Sequence, residues 1–236
     1  MLKDLGKYIH MIELGLKYKK IFQKTYFDPF ITMKPAYKQL SIDRQNYSNS
    51  VLKFLNIEVE IIGEIPVRDK ILYAINHRSL LDILVMENVF SQYDKNGTWV
   101  AKQELFEHWL YGGFFEASGC MSVDLENGKG MIKFFKKIKK TLENVDDMNI
   151  YIFPEGERNK EECVLEFQSG AQKIAKANNL DVVPVFIDDT LETVFKESPF
   201  EETKRVKVFV GDVVDADNLQ NGYKELLSKT SKSTCV

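Results

Sequence analysis

The chain has 236 residues, of which 44% are hydrophobic and 28% charged, so it is long and apolar enough to form a domain with a sizeable core. Its formal net charge of -3 and isoelectric point near 5.8 exclude a general nucleic-acid binder, which would carry a basic surface. The three histidines and three cysteines, with no CxxC spacing, do not predict a transition-metal site.

The first 56 residues predict a pair of helices. Residues 1–25 carry many lysines and a row of apolar side chains at amphipathic-helix spacing, namely Leu5, Ile9, Ile12 and Leu16. Pro29 and Pro35 interrupt the pattern, and residues 36–55 predict a second helix. Because charged residues interrupt every apolar stretch here, neither a signal peptide nor a membrane-spanning helix is expected.

From residue 57 onward, short β-rich runs alternate with helical stretches. The predicted strands cover 59–63, 71–76, 98–101, 120–124, 149–153, 182–187 and 206–211. The predicted helices cover 80–93, 103–112, 128–144, 168–178 and 223–229. The alternation indicates an α/β fold with a mostly parallel mixed sheet of about seven strands, flanked by helices and preceded by the helical pair. We expect an N-terminal amphipathic segment at 1–56, an α/β domain at 57–229 and a disordered tail at 230–236.

A histidine and an aspartate follow the second predicted strand. His77 comes directly after the apolar run 71–76, at the carboxyl end of a strand, where ligands bind in open α/β sheets. One helical turn can bring Asp82 to one ring nitrogen of His77, which would fix the tautomer and leave the other nitrogen as a general base. The same residues fit a capping box between Ser79 and Asp82, and the two interpretations are compatible.

The stretch FPEGER at 153–158 is a second candidate. Pro154 and Gly156 shape a turn directly after a predicted strand. The turn carries the Glu155 carboxylate and the Arg158 guanidinium, groups that bind hydroxyls and phosphates. The alternative is an ordinary turn with a surface arginine.

Taken together, NHRSLLD (76–82) and FPEGER resemble the paired motifs of the glycerolipid acyltransferase family, best known as 1-acylglycerol-3-phosphate acyltransferases. AKQELF (101–106) and VVPVFI (182–187) are similar to two further motifs of that family, in the same order. The resemblance covers roughly residues 58–190.

This resemblance implies an enzyme that transfers an acyl group from acyl-coenzyme A or acyl-carrier protein to the free hydroxyl of a lysophospholipid, without a cofactor. It implies that His77 is the general base and that Asp82 orients it. The residues that it implies for substrate binding are Asn76, Arg78, Lys102, Glu155, Gly156 and Arg158.

The chain departs from the family pattern at three positions. Leu125 stands where the family has an arginine thought to hold the acceptor phosphate. Glu157 replaces a small hydroxyl residue, and Gln168 replaces a lysine. Either the acceptor carries less phosphate charge than 1-acylglycerol-3-phosphate, or other cations take over, for which the candidates are Arg78, Lys102, Arg158 and Lys129.

Lipid substrates imply contact with a bilayer. The N-terminal lysine-rich helices can lie in the interface of an anionic membrane, although the same pattern fits a helix packed on the core with a solvated lysine face. The stretch 129–140 is interpreted first as a core helix and second as a docking site for acidic acyl carrier protein or anionic lipid, with an apolar stripe of Ile132, Phe135, Ile138 and Leu142. We expect a cytoplasmic protein, peripheral on the inner face of the membrane.

Two other functions fit the same residues. A lipid-binding protein that kept the fold would explain Leu125, and a thioester hydrolase could use the His77–Asp82 pair to activate water. The intact pair favours the transferase.

Overall fold

The computed structural model describes residues 2–109, 111–124, 128–159 and 163–230, which contain nine helices and seven strands. The helices are α1 (Leu2–Tyr26), α2 (Met33–Leu55), α3 (Leu81–Gln92), α4 (Gln103–Glu107), α5 (Gly112–Ala117), α6 (Gly128–Asn144), α7 (Gly170–Asn178), α8 (Leu191–Glu197) and α9 (Leu219–Ser228). The strands are β1 (Ile57–Ile62), β2 (Ile71–Ile75), β3 (Asn96–Lys102), β4 (Met121–Val123), β5 (Met148–Ile152), β6 (Asp181–Ile187) and β7 (Lys204–Val210).

The strands form one sheet in the order β1-β7-β6-β2-β5-β3-β4. The five strands from β6 to β4 in this order run parallel, whereas β7 is antiparallel to β6 and parallel to β1. The central strand β2 is buried along its whole length, as the continuous apolar run at 71–75 requires. The prediction of a mostly parallel mixed sheet with an N-terminal helical pair is confirmed.

The two faces of the sheet are covered by different helices. Tyr73 and Ile75 of β2 face a core shared with α2, α3 and α8. Leu72 and Ala74 point to the opposite face, where they join side chains of α6 and α7. Helix α1 packs on α2 and α5 as a further layer outside the first face.

Helix α1 is fastened to the domain by a buried lysine. Lys7 is only 2% exposed, and its Nζ donates to the carbonyl oxygens of Phe195, Lys196 and Ser198 at 2.8, 3.1 and 3.0 Å. These carbonyls lie at the end of α8, where a helix leaves its last C=O groups without helical partners. The ammonium therefore satisfies the end of α8 and holds α1 against it.

The predicted helix at 103–112 is confirmed only over α4 (Gln103–Glu107), because the chain then turns and begins α5 at Gly112. A Cβ on Gly112 would lie 2.1 Å from the carbonyl oxygen of Phe106, so the chain folds back at a contact that only glycine permits. The glycine pair 112–113 consequently begins α5 and does not end a helix. Helix α8 was not predicted, since its seven residues are too few to show a helical period.

The apolar stripe predicted on α6 is partly wrong. Ile138 and Leu142 are buried together with Phe134, but Ile132 is 57% exposed. The core lies on the line through 134, 138 and 142, which is turned away from Ile132. The division at residue 56 stays a prediction, and residues 231–236 of the predicted tail lie outside the described part of the chain.

Candidate active site

The two candidate motifs meet at the carboxyl edge of the sheet. Strand β2 ends at Ile75 and β5 ends at Ile152, and the two strands are parallel neighbours. The loops that follow them therefore begin side by side, which places His77 next to the turn that starts at Phe153.

His77 and Asp82 form a hydrogen-bonded pair. The His77 Nδ1 lies 2.8 Å from Asp82 Oδ2. The aspartate side chain is 2% exposed and that of the histidine 14%, so solvent or a small substrate reaches the imidazole but not the carboxylate. Among the described residues, no hydrogen bond occupies the second ring nitrogen, Nε2. The pair can therefore accept a proton at Nε2 while Asp82 stabilises the imidazolium.

Asp82 also builds the start of α3. Its Oδ2 accepts the backbone N–H groups of Arg78 at 2.6 Å and Ser79 at 2.8 Å, and the Ser79 hydroxyl accepts the N–H of Leu81 at 3.2 Å. These reciprocal bonds correspond to a capping box. Both sequence interpretations of Asp82 therefore hold in the same structure, and the helix start fixes the carboxylate that contacts His77.

Glu155 ties the second motif to the first. Its Oε1 accepts the backbone N–H of His77 at 2.7 Å, and its Oε2 accepts the N–H of Leu165 at 2.9 Å. Burial raises the pKa of Glu155 above its usual value, although these N–H donors, Asn159 and the Arg78 charge act in the opposite direction. The Glu155 carboxylate thus holds the backbone of His77 next to the loop at Leu165.

An aromatic stack supports the face of the imidazole. The ring of Phe153 lies parallel to that of His77, with centroids 3.8 Å apart and planes 9° from parallel. Trp99 in turn stacks on Phe153, with ring centroids 5.0 Å apart and an angle of 27° between the ring planes. The indole Nε1 donates to Glu87 Oε1 at 2.9 Å, and the same oxygen accepts from Arg44 Nε at 2.6 Å. Three elements, α2, α3 and β3, thus hold Phe153 and the plane of the His77 ring in place through buried hydrogen bonds.

No motif in the sequence predicts this stack. Arg44, Glu87 and Trp99 come from α2, α3 and β3, so no spacing along the chain relates them. The available signal was Glu87, a charged residue inside the apolar run 80–90, because such a residue needs a partner inside a core.

Asn76 is engaged by the backbone of β6. Its Nδ2 donates to the carbonyl of Ile187 at 3.0 Å, and its Oδ1 accepts the N–H of the same residue at 2.7 Å. The side chain is buried and joins the ends of β2 and β6. It therefore fixes the point at which the His77 loop leaves the sheet.

The remaining predicted residues lie around the pair with different exposure. Arg78 is buried, with its guanidinium carbon 5.9 Å from the Phe186 ring centroid. Gly156 has φ +76°, a left-handed value that favours glycine in this turn. Lys102 and Arg158 are exposed, at the end of β3 and in the turn after β5. Leu125 lies outside the described residues.

Within the described part of the chain, no group of three or more histidine, cysteine or acidic side chains could hold a metal ion. No helix there is long and apolar enough to cross a bilayer.

Comparison with known proteins gives consistent matches. The Acyltransferase family matches residues 56–188, more than half of the chain. A 1-acyl-sn-glycerol-3-phosphate acyltransferase of Helicobacter pylori is 33% identical over 179 residues, 75% of this chain and 73% of that protein. One from Cocos nucifera is 28% identical over 119 residues, 50% of this chain and 37% of that protein.

A solved structure shares the fold. It is the 1-acyl-sn-glycerophosphate acyltransferase PlsC of Thermotoga maritima, with a TM-score of 0.59 over 97% of this chain and 100% of that one, at 18% identity. The sequence prediction of an O-acyltransferase related to 1-acylglycerol-3-phosphate acyltransferases is confirmed by the family match and the H. pylori relative. With its paired motifs joined at one edge of the sheet, the chain belongs to the Acyltransferase family.

Proposed function

We propose that this protein transfers a fatty acyl group from a thioester donor to the free hydroxyl of a lysophospholipid in phospholipid synthesis. The observation that carries the proposal is the 2.8 Å contact between His77 Nδ1 and Asp82 Oδ2, with Nε2 left to act on a substrate. The leading acceptor is 1-acylglycerol-3-phosphate, which the names of the H. pylori and C. nucifera relatives support.

In the proposed reaction, His77 Nε2 removes the proton of the acceptor hydroxyl while that oxygen attacks the thioester carbonyl carbon. The tetrahedral intermediate then collapses, and its carbon–sulfur bond breaks. The imidazolium returns the proton to the departing thiolate, so that an ester and a free thiol leave a neutral His77. The Asp82 carboxylate stabilises the imidazolium between these two proton transfers.

Binding of the acceptor is assigned to the loops around this pair. Lys102 at the end of β3 and Arg158 in the turn after β5 are exposed cations that can contact a phosphate, with Arg158 suited to two parallel hydrogen bonds. Glu155 and Gly156 shape the turn that the acceptor approaches, and Asn76 fixes the start of the His77 loop beside it. An acceptor with less phosphate charge remains the alternative, because Leu125 cannot bind phosphate.

Contact with the bilayer is proposed for α1. Its apolar row is exposed, with Leu5 58%, Ile12 62% and Leu16 58% accessible, and it points away from the face that packs on α2. Phe27 and Phe30 at the following turn are also exposed, at 66% and 92%. Exposed apolar side chains flanked by lysines are the pattern of an interfacial helix.

The test of the reaction is thiol release from palmitoyl-coenzyme A and palmitoyl-carrier protein. Each donor is supplied with 1-acylglycerol-3-phosphate, with lysophosphatidylglycerol, or with no acceptor, for wild type and His77→Ala. We expect release that requires both an acceptor and His77. Release without acceptor would identify a hydrolase, and lipid binding by folded protein without release from either donor would favour a lipid-binding protein.

The test of membrane contact is sedimentation with phosphatidylglycerol vesicles. We expect Ile12→Asn/Leu16→Asn to lose most of the bound fraction, while Lys173→Gln on α7 keeps it. Equal binding by all three proteins would contradict the role of α1.

A further inference from the structure

Helix α6 carries a row of cations along its outer face. Of its 17 residues six are lysines, all exposed, and one is acidic. Lys133, Lys136 and Lys140 are spaced i, i+3 and i+7, so they lie on one line about 10 Å long. Within the described part of the chain none of these three has an acidic partner within 4.0 Å. Such a row is unusual on a chain whose net charge is -3.

The row begins at the edge of the sheet that carries the catalytic pair. Strand β4 is parallel to β3, and the first turn of α6 packs on Asp124, since a Cβ on Gly130 would lie 2.8 Å from the Asp124 Cβ. The end of β4 is three strand spacings from the end of β2 in the sheet order, about 14 Å. An acyl thioester carried by a molecule on α6 can therefore extend along this edge toward His77.

The outer face of α6 lies opposite its core-facing side chains. Phe134, Ile138 and Leu142 pack on one face of the sheet, whereas α2 and α3 cover the other face and α1 lies outside them. The lysine row is on the exposed side of α6, and it shares no residue with the apolar row of α1. A partner can therefore contact the lysine row without displacing a core side chain.

We propose that Lys133, Lys136 and Lys140 form the docking surface for an acidic acyl carrier protein that delivers the thioester donor. The inference rests on the proposed function, in which the carrier supplies the acyl thioester. A straight row on a convex helix fits the extended acidic surface of a protein better than it fits one phosphate group, which is bound by converging donors. Ile132, 57% exposed beside the row, supplies an apolar contact of the kind found at interface centres.

The decisive variant is Lys133→Gln/Lys136→Gln/Lys140→Gln. The matched control is Lys173→Gln/Lys207→Gln/Lys224→Gln, which removes the same charge from exposed lysines on α7, β7 and α9. We expect the α6 variant to raise KM for palmitoyl-carrier protein about tenfold and to change KM for palmitoyl-coenzyme A less than twofold. The control is expected to change neither KM. Added salt should raise the wild-type KM for the carrier and have little effect on the α6 variant.

A binding measurement separates docking from catalysis. Carrier protein is titrated against His77→Ala with and without the α6 substitutions, so that no turnover is needed. Weaker binding of the carrier protein in the variant with the α6 substitutions supports the proposal. This result would stand even if neither donor is turned over and the proposed function fails. Unchanged binding, an equal KM rise for both donors, or loss of vesicle binding in place of carrier binding would overturn it.

Discussion

At the scale of single residues, two perpendicular contacts determine where His77 Nε2 points. The hydrogen bond to Asp82 fixes the ring at its edge, and the stack on Phe153 fixes the ring plane. A general base must be held in this way, because small errors in position cost large factors in rate.

Replacement of Asp82 by asparagine tests the first contact. Asp82→Asn keeps the size of the side chain and an oxygen for the N–H groups of Arg78 and Ser79, but it removes the negative charge beside the imidazolium. We expect kcat to fall by roughly 10²–10⁴-fold with a small change in KM. Ser79→Ala is the control, since it weakens the same helix start without touching His77. An equal loss in both variants would show that Asp82 acts only as a helix cap.

Replacement of Phe153 tests the second contact. Phe153→Leu keeps an apolar side chain but loses the parallel ring, so we expect kcat to fall by roughly 10- to 100-fold while KM changes little. Phe153→Tyr keeps the ring and should retain most of the activity. If both variants have the same kcat, the stack does not orient His77.

The buried carboxyl of Glu155 predicts a specific pH dependence of stability. Its pKa is raised in the folded chain, so the folded state holds this proton more tightly than the unfolded state does. Protonated Glu155 therefore adds to the free energy of unfolding. This contribution is complete below pH 4.5, the ordinary pKa of a glutamate, and is lost as pH rises through the raised pKa of the folded state.

We therefore expect the free energy of unfolding to fall less steeply above pH 4.5 in Glu155→Gln than in wild type. Urea unfolding at a series of pH values measures both profiles. Glu157→Gln, which removes the same charge from an exposed neighbour, should keep the wild-type profile. A Glu155→Gln profile parallel to wild type would contradict the assignment.

The same residues show how far a sequence predicts a site. His77, Asp82 and Glu155 could be identified because each lies in a short motif at the end of a strand. Phe153 lies in such a motif too, but its stacking partner His77 and its neighbour Trp99 lie on other segments. Contacts between segments depend on strand order, and β2 pairs with β5 although β3 and β4 lie between them in sequence.

At the scale of elements, length and period decided which predictions succeeded. Helices α2 and α6 have many turns, so apolar side chains recur often enough to reveal them. The prediction of one helix at 103–112 failed after α4, because the chain turns where Gly112 contacts the Phe106 carbonyl. The apolar pattern of the sequence continues through this turn and does not reveal it. The exposed row on α1 was correctly identified as one face, but the sequence did not say whether that face was inside or outside.

Lys7 provides a test of how α1 is held. Lys7→Met keeps an apolar stem of similar length and leaves three carbonyl oxygens at the end of α8 without their donor. We expect a loss of about 1–3 kcal/mol in unfolding free energy, measured with urea. Lys20→Met, which replaces an exposed lysine of the same helix, should stay within about 0.5 kcal/mol of wild type. A smaller loss in Lys7→Met than in Lys20→Met would exclude this anchoring role.

At the scale of the whole molecule, two different helices carry the surfaces that are proposed to serve one reaction. The α1 row and the α6 row share no residue. Separate surfaces would let an acceptor in the bilayer and a donor in water reach His77 without competing for one surface.

Independence of the two surfaces is therefore the last prediction. Substitutions at well-separated sites add within about 0.5 kcal/mol, so their fold-changes should multiply within about twofold. Ile12→Asn/Leu16→Asn is expected to lower vesicle binding alone, and the α6 triple variant to raise KM for palmitoyl-carrier protein alone. The combined variant should show both effects at their single-variant size. A combined effect well beyond the product would mean that carrier and membrane touch a common surface, and it would contradict two separate docking surfaces.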